Sequence, residues 1–324
     1  MNRRELLTSL AAAAAVAPLD AAPAKATKAD VERWMKELSN WGRWGQQDQL
    51  GTINLITPAK RKEAAGLVRE GVSVSLAHPV EKKNAVDNGS PFEHRMEDAG
   101  IWAHSFVLDS YHVNYHGFAH THIDALCHMF INGKMYNGHA PSTVTKQGAS
   151  QLAISAYRDG LFTRGVLMDI PALKGKKYLD LGEAIHPEDL DAWEKKSGVK
   201  VRAGDAVLIH TGRWIRRAEK GPWDASKQCA GLYGTCAKWF KQRDMAILGS
   251  DAASDVAPSG VDGVAQPIHQ LSLVAMGMPI LDNLDLTAVS AQAAKSRRWE
   301  FLLTAAPLVV EGGTGSPLNP IATF

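Results

Sequence analysis

The stretch HVNYHGFAHTHIDALCH, residues 112–128, holds five of the twelve histidines in the chain. An even spread of histidines would place less than one in a segment of this length. Imidazole is the commonest metal ligand among side chains, because its neutral nitrogen binds a cation directly. The density of histidines therefore indicates a metal site around which the rest of the chain is arranged.

The spacing of these residues predicts an extended strand. Side chains alternate between the two faces of a strand, so His120, His122 and Asp124 would share one face, with His116 further along the same edge. A helix would scatter them, because residues i and i+2 do not face each other. After a short turn, His128 could return to the same point. We therefore predict His120, His122, Asp124 and His128 as ligands of zinc, manganese or ferrous iron. The alternative is a strand that carries histidines as ordinary polar groups.

A later segment offers two further groups. His269 opens an apolar helical segment, and Asp282 ends the strand that follows it. We expect Asp282 to be a metal ligand or a base, and His269 to be a ligand or a proton donor. The alternatives are an N-terminal helix position for His269 and a turn aspartate for Asp282. Phe118 and Trp214 are candidates for contact with a flat substrate, and core packing is the alternative for both.

Composition narrows the class of protein. With 324 residues and 45% hydrophobic content, the chain can form one large domain or two small ones. A net charge of +2 and the lack of a basic patch or zinc-finger motif argue against a nucleic-acid partner. Nucleophile-elbow, Walker and dinucleotide-binding motifs are also absent from the sequence. We expect a small-molecule substrate. Three cysteines are too few for a disulfide framework, although Cys229 and Cys236 could pair.

Residues 1–26 are predicted to be an export signal. A basic start is followed by the apolar run LTSLAAAAAVAPL, which is too short for a stable membrane anchor, and A-x-A cleavage sites follow at 22–24 and 24–26. Arg3 and Arg4 form a twin-arginine pair, which favours export in a folded state. An ordinary secretory signal is the alternative. We therefore expect a periplasmic or secreted protein.

Strand and helix patterns are mixed over residues 27–324, without a repeat or a Pro-rich linker, so we predict one α/β domain. Thr57 and Pro58 are typical of a helix start, and Gly71 of a position beyond its end. Strands are expected at 72–76, 164–170, 206–211, 245–251, 279–284 and 302–310, and further helices at 187–196, 236–243 and 268–276.

The segment THIDALCH resembles the core of the H-x-G-T-H-x-D-x-P-x-H signature of the cyclase-like metal-dependent hydrolases. That family includes bacterial kynurenine formamidase and isatin hydrolase. His122, Asp124 and His128 match the signature's second histidine, its aspartate and its last histidine. The signature's first histidine falls on Phe118 and its glycine on His120, which suggests a ligand displaced from 118 to 120.

The resemblance extends over most of residues 40–324 through NWGRWGQQDQLGTINLITP, RGVLMDI, HTGRW and GGTGSPLNPIA. It implies a swivelling β/β/α fold with a barrel-like mixed sheet and flanking helices, a homo-oligomer (a dimer or tetramer), and bound Zn²⁺ or Mn²⁺. His269 would correspond to the family's later histidine. Asp282 would take the place of its bridging glutamate.

The resemblance also implies a reaction. Metal-activated water would attack an amide or lactam carbonyl of a small aromatic or cyclic compound, at a C–N bond other than a peptide bond. His128 or His269 would move the proton to the leaving nitrogen. Two alternatives use the same residues: a metal-dependent lyase or dehydratase, and an exported metal-binding protein without catalytic activity.

Overall fold

The computed structural model describes residues 25–98 and 106–324. The predicted export signal therefore lies outside the described residues, apart from its last two positions. A π-helical segment, Gln270–Met276, directly continues the short α-helix Pro267–His269. The α-helices of the described chain are α1 (Lys28–Glu37), α2 (Pro58–Ala65), α3 (Ile170–Lys174), α4 (Pro187–Ser197), α5 (Arg213–Lys220), α6 (Cys236–Gln242), α7 (Pro267–His269) and α8 (Thr287–Ser296).

Most strands are short, and several have only two or three residues. In chain order they are β1 (Ser73–Ser75), β2 (Glu93–Asp98), β3 (Leu108–His112), β4 (His122–Asp124), β5 (Val144–Thr145), β6 (Gly148–Ala149), β7 (Leu161–Asp169), β8 (Ala184–Ile185), β9 (Ala206–His210), β10 (Gly231–Leu232), β11 (Ile247–Ser250), β12 (Ile280–Asp282), β13 (Glu300–Ala305), β14 (Gly315–Pro317) and β15 (Ile321–Thr323). Single 3₁₀ turns lie between them, including Leu126–His128 directly after β4.

Nine strands form one curled, half-barrel sheet in the order β1–β15–β13–β7–β9–β11–β12–β4–β14. The four central strands β7, β9, β11 and β12 run parallel. The strands beyond them pair antiparallel on both sides. The other strands form separate two-stranded pairs, β2 with β3, β5 with β6 and β8 with β10. The prediction of a single mixed α/β domain with a barrel-like sheet and flanking helices is confirmed.

The central strands are buried on both faces. Leu167 and Leu208 point into one apolar layer, whereas their neighbours Val166 and Val207 point into the other. A parallel strand that is covered on both sides needs apolar residues at successive positions, which explains the unbroken run AVLI in β9. The sheet therefore holds the carboxyl ends of β7, β9, β11 and β12 along one edge of a rigid platform.

Two predicted elements end earlier than expected. The Thr57 hydroxyl does cap α2, but the helix ends at Ala65, well before Gly71. Strand β13 ends at Ala305, because Pro307 lacks the N–H that a ladder requires.

The cysteines Cys127, Cys229 and Cys236 are all buried and unpaired, so Cys229 and Cys236 do not form a disulfide. Within the described residues, every helix is too short or too polar to cross a lipid bilayer.

Candidate metal centre

Strand β4 and its neighbour β12 bring three polar side chains onto one face of the sheet. β4 lies between β12 and β14, and His122 stands directly opposite Asp282 in the antiparallel register. Residues opposite each other on antiparallel strands point to the same side, and so do residues two apart on one strand. His122, Asp124 and Asp282 therefore point together, and all three are buried.

Asp124 is the centre of the cluster. Its Oδ1 lies 2.9 Å from Nδ1 of His116 and 3.5 Å from Nε2 of His122. Its Oδ2 lies 3.8 Å from Nε2 of His269 and 4.0 Å from Nε2 of His128. One carboxylate thus faces four imidazoles, two on each oxygen.

His269 and Asp282 complete the far side of the cluster. Nε2 of His269 lies 3.1 Å from Oδ2 of Asp282, whose other oxygen accepts a hydrogen bond of 2.8 Å from the Ser254 hydroxyl. The other ring nitrogen of His269, Nδ1, lies 2.6 Å from Asp255. The short helix α7 begins two residues earlier, and Asp255 also accepts the backbone N–H groups of Ile268 and His269. This carboxylate therefore fixes both the helix and the ring.

Three of the histidines have the same arrangement of partners. In each ring one nitrogen faces a carboxylate of the cluster, and the other is held from outside. The outside partners are the His120 carbonyl oxygen for His122 (2.8 Å), the Thr314 hydroxyl for His116 (3.0 Å) and Asp255 for His269. Histidines that bind metals typically have such a partner on the second nitrogen, because it fixes the tautomer and the ring orientation.

The donor set fits a metal ion. Asp124, His116 and His122 offer donor atoms within 4.8 Å of one another, and so do Asp124, His269 and Asp282. Nδ1 of His116 and Oδ1 of Asp124 are both buried and face each other, and neither is paired with a backbone group or a hydroxyl among the described residues. Buried polar atoms are rarely left without a partner. Imidazole and carboxylate donors suit zinc and manganese.

The electrostatics couple these groups tightly. Burial alone would raise the pKa of Asp124, but contact with His116 and His122 outweighs it and holds that pKa well below its usual range. For His269 the signs are reversed. Burial would lower its pKa, yet Asp282 and Asp255 raise that pKa well above its ordinary value. The pKa of His122 is raised in the same way, mainly by Asp124 acting against burial. By contrast, burial dominates at His128 and lowers its pKa.

The predicted ligand His120 lies apart from this cluster. β4 begins only at His122, and the preceding loop turns at Gly117, where φ is 131°. Strand alternation therefore does not extend back to residue 120. The His120 ring instead points to the carbonyl oxygen of Ser90, 3.3 Å from Nε2. The expectation of one face shared by His120, His122 and Asp124 is corrected, because only the last two share it.

The two predicted substrate-binding aromatics are also separated. Phe118 lines a cavity of about 310 Å³ that borders the cluster at His116. Trp214 is buried in the core, where its indole N–H donates to the Leu284 carbonyl oxygen and its ring stacks on His78 at 3.5 Å. The structure therefore places Phe118 beside a cavity and Trp214 in packing.

Several residues of the cluster were not predicted from the sequence. His116 had the right parity but was not included among the predicted ligands. Asp255, Ser254 and Thr314 were not identified at all, since each acts as a hydrogen-bond partner of a ligand candidate and follows no local pattern. Arg213, which lies in the HTGRW segment, is buried and binds the carbonyl oxygen of Phe118.

Comparisons with known proteins match most of the chain. The family model Cyclase matches residues 74–255. A solved structure of a novel cyclase is 30% identical, with a TM-score of 0.78, and covers 89% of this chain and 100% of its own. Isatin hydrolase A from Ralstonia solanacearum is 21% identical, with a TM-score of 0.56, over 80% of this chain and 93% of its own. An isatin hydrolase bound to the product analogue thioisatinate is 19% identical, with a TM-score of 0.56, over 81% and 94%. The comparison with curated proteins found no match.

Proposed function

The chain belongs to the Cyclase family, and from this premise we propose that it is a metal-dependent hydrolase acting on a non-peptide C–N bond. The substrate we propose is an amide or lactam of a small aromatic or cyclic compound. The observation that carries the proposal is the setting of Asp124. This buried carboxylate faces four imidazoles, and its Oδ1 accepts no hydrogen bond from a backbone N–H or a hydroxyl among the described residues.

The ion would be held by His122, Asp124, His269 and Asp282, with His128 at the edge of the set. A bound zinc or manganese ion would supply Lewis-acid chemistry, activating water as a nucleophile and polarising a carbonyl group. Because each oxygen of Asp124 faces a different pair of histidines, the site has donors for one ion or for two.

His128 is the residue best placed to move protons. Both nitrogens of His269 already face carboxylates, whereas Nε2 of His128 lies 4.0 Å from Asp124 and its side chain is 30% exposed. Burial lowers the pKa of His128, so its ring is neutral at pH 7 and can accept a proton. In the proposed step His128 takes a proton from the attacking water. It then delivers that proton to the leaving nitrogen as the C–N bond breaks.

The cavity beside His116 supports a small, flat substrate. Its volume of about 310 Å³ lies at the small end of ligand pockets. Phe118 supplies an aromatic wall, and Ser90 and Asn114 supply polar groups. The names of two structural neighbours, isatin hydrolase A and an isatin hydrolase with bound thioisatinate, support a cyclic amide as the first class to try.

A substrate screen with the purified protein tests this function. Metal content is measured first, and isatins, arylformamides, lactones and imides are then incubated with the zinc- and manganese-loaded protein. Hydrolysis adds one water to the mass of the substrate, whereas a dehydratase removes one. A matched Asp124→Asn protein controls for contaminating hydrolases. Metal binding with a loss of water would establish the lyase alternative. Metal binding without turnover of any compound would favour a non-catalytic metal-binding protein.

Export is part of the proposal and rests on residues 1–26 alone. Cell fractionation of the full-length protein tests it, with Arg3→Lys and Arg4→Lys as the matched change. We expect periplasmic or secreted wild-type protein and retention of the double variant. Export of both proteins would favour an ordinary secretory signal over the twin-arginine route.

Self-association is also proposed. Among the described residues, β2 and β3 pair only with each other, and Met96, Leu108 and Tyr111 are exposed on them. Met96 and Tyr111 lie on the same face of this pair of strands, and apolar side chains exposed together favour an interface. Light scattering of the purified protein distinguishes a dimer or tetramer from a monomer.

A further inference from the structure

His116 stands where a ligand is needed, although the family signature carries its first histidine at the position of Phe118. We propose that His116 binds the metal through Nδ1 together with His122 and Asp124, and that Phe118 and His120 line the substrate cavity instead. This inference rests on the proposed function, because it assumes that the cluster binds a metal.

The His116 ring points toward Asp124. Its Nδ1 is buried and lies 2.9 Å from Oδ1 of Asp124, which accepts no hydrogen bond from a backbone N–H or a hydroxyl among the described residues. Its Nε2 lies 3.0 Å from the Thr314 hydroxyl. One nitrogen is therefore fixed by an outside partner and the other is aimed at the carboxylate, as for His122 and His269.

Gly315 leaves space for the His116 ring beside β14. A Cβ atom at Gly315 would lie 3.0 Å from Cε1 of His116 and 2.5 Å from the carbonyl oxygen of Ile123. Only glycine therefore allows β14 to pair with β4 while the ring passes beside it. The Tyr115 hydroxyl donates to the carbonyl oxygen of Gly315 at 2.9 Å, which ties the loop to the same strand.

Backbone contacts of the loop keep His120 from taking the place of His116 beside Asp124. Arg213 binds the carbonyl oxygen of Phe118, and the Asn283 side chain donates to the carbonyl oxygen of Gly117 at 2.7 Å. Arg213 and Asn283 also bind each other, and both are buried. These contacts hold the backbone with His116 toward Asp124 and His120 toward Ser90.

Binding of the metal by His116 and not by His120 affects how substrate reaches the ion. Of the described residues in the metal cluster, only His116 also lines the 310 Å³ cavity, whose wall includes Phe118 and His120. Substrate would therefore approach the ion past the ring of His116.

Cobalt binding by full-length protein tests the assignment without relying on activity. Wild type, His116→Ala, His120→Ala and Phe118→Ala are titrated with Co²⁺, and bound cobalt and its visible absorption spectrum are measured. We expect His116→Ala to lose more than about 100-fold in affinity, because even the outside partners of ligands typically contribute 10- to 100-fold. His120→Ala and Phe118→Ala should retain the wild-type spectrum and stoichiometry. Circular dichroism of each metal-free protein checks folding, and His116→Gln replaces His116→Ala if the latter unfolds.

Rescue by a small molecule separates a ligand from a structural residue. Added imidazole should restore cobalt binding to the His116→Ala protein, because it can enter the space left by the ring. Loss of cobalt in His120→Ala together with full binding in His116→Ala would overturn the assignment and leave the proposed function intact. Wild-type protein that binds no metal would refute the proposed function and this assignment with it.

Discussion

Two buried clusters of histidine and aspartate lie along the same edge of the sheet, and only one of them resembles a metal site. The metal centre surrounds Asp124 at the end of β4. The second cluster, which we name the His210 triad, contains Asp169, His210 and Asp251 at the ends of β7, β9 and β11. In the triad, His210 lies 3.4 Å from Asp169 and 3.7 Å from Asp251, distances similar to those around Asp124.

The difference lies in what satisfies the carboxylates. Asp251 accepts hydrogen bonds from the backbone N–H groups of Thr211 and Gly212, both at 2.8 Å, and from the Thr211 hydroxyl at 2.7 Å. Asp169 accepts from the N–H of Ala172 at 2.9 Å. Asp124 Oδ1 has no such donor among the described residues. A carboxylate whose oxygens already accept hydrogen bonds from backbone N–H groups and hydroxyls stabilises the fold. A carboxylate that faces only imidazoles can bind a metal.

Asp124→Asn should have the largest effect on metal binding. The substitution removes the charge that both ligand groups share and changes the size of the side chain little. We expect metal content to fall below detection and hydrolysis to fall by more than about 100-fold, since loss of a ligand exceeds the usual effect of its partners. Elemental analysis and initial rates measure both. Full metal loading of the Asp124→Asn protein would remove the basis for separating the two clusters.

Asp255→Asn should have an intermediate effect. Asp255 does not face the ion but holds Nδ1 of His269 at 2.6 Å. We expect zinc affinity to fall about 10- to 100-fold, because the ring loses the partner that orients it and raises its basicity. Competition titration with a chelating dye measures the change. Affinity equal to wild type would mean that His269 is not a ligand.

Acidification should weaken metal binding in a predictable direction. Carboxylates raise the pKa of His122 and His269 in the metal-free protein against the effect of burial. Their contribution to metal-free stability is therefore complete below the unfolded value of about 6.5 and is lost as pH rises through the folded values. Metal must displace these protons, so affinity should rise with pH and zinc binding should release protons at pH 7.

Calorimetry in buffers of different ionisation enthalpy measures that release. Excess zinc should shift the acid midpoint of metal loss to lower pH by mass action. Zinc binding at pH 7 with no proton release would contradict the raised pKa values.

Asp251→Asn should have the smallest effect on metal binding and a clear effect on stability. Burial lowers the pKa of His210, but Asp169 and Asp251 outweigh it and raise that pKa, so this pairing stabilises the fold most below about pH 6.5 and less as pH rises. We expect the free energy of unfolding of metal-free protein to fall by about 3 kcal/mol at pH 6, since a buried ion pair loses one partner. Urea denaturation at pH 6 and pH 8 measures it. Loss of metal from this variant would show that the triad and the metal centre are coupled.

The sequence predicted the long, regular elements because their patterns are local. Helices α4 and α6 begin where expected, at Pro187 and Cys236. The central strands β9 and β11 lie within their predicted ranges, since continuous apolar runs are typical of buried parallel strands. Strands β14 and β15 were not predicted. Each has only three residues, too few for a periodic pattern, and each pairs with a strand in the first half of the chain, β14 with β4 and β15 with β1.

Residue type and spacing are enough to show which residues could form the site. The density of histidines in residues 112–128, the pair His122 and Asp124, and the later His269 and Asp282 were all evident from residue type and spacing. Strand alternation within β4 puts His122 and Asp124 on one side of the sheet, but Asp282 joins them only because β12 pairs with β4.

The histidine that faces Asp124 is selected by long-range contacts. The period-of-two rule holds where a strand is paired, and pairing begins at His122. Before that point, the direction of His116 and His120 depends on contacts with Arg213, Asn283 and β14, which lie 95 to 200 residues away in the chain. Such contacts form only when the chain is folded, so a local sequence pattern cannot predict them.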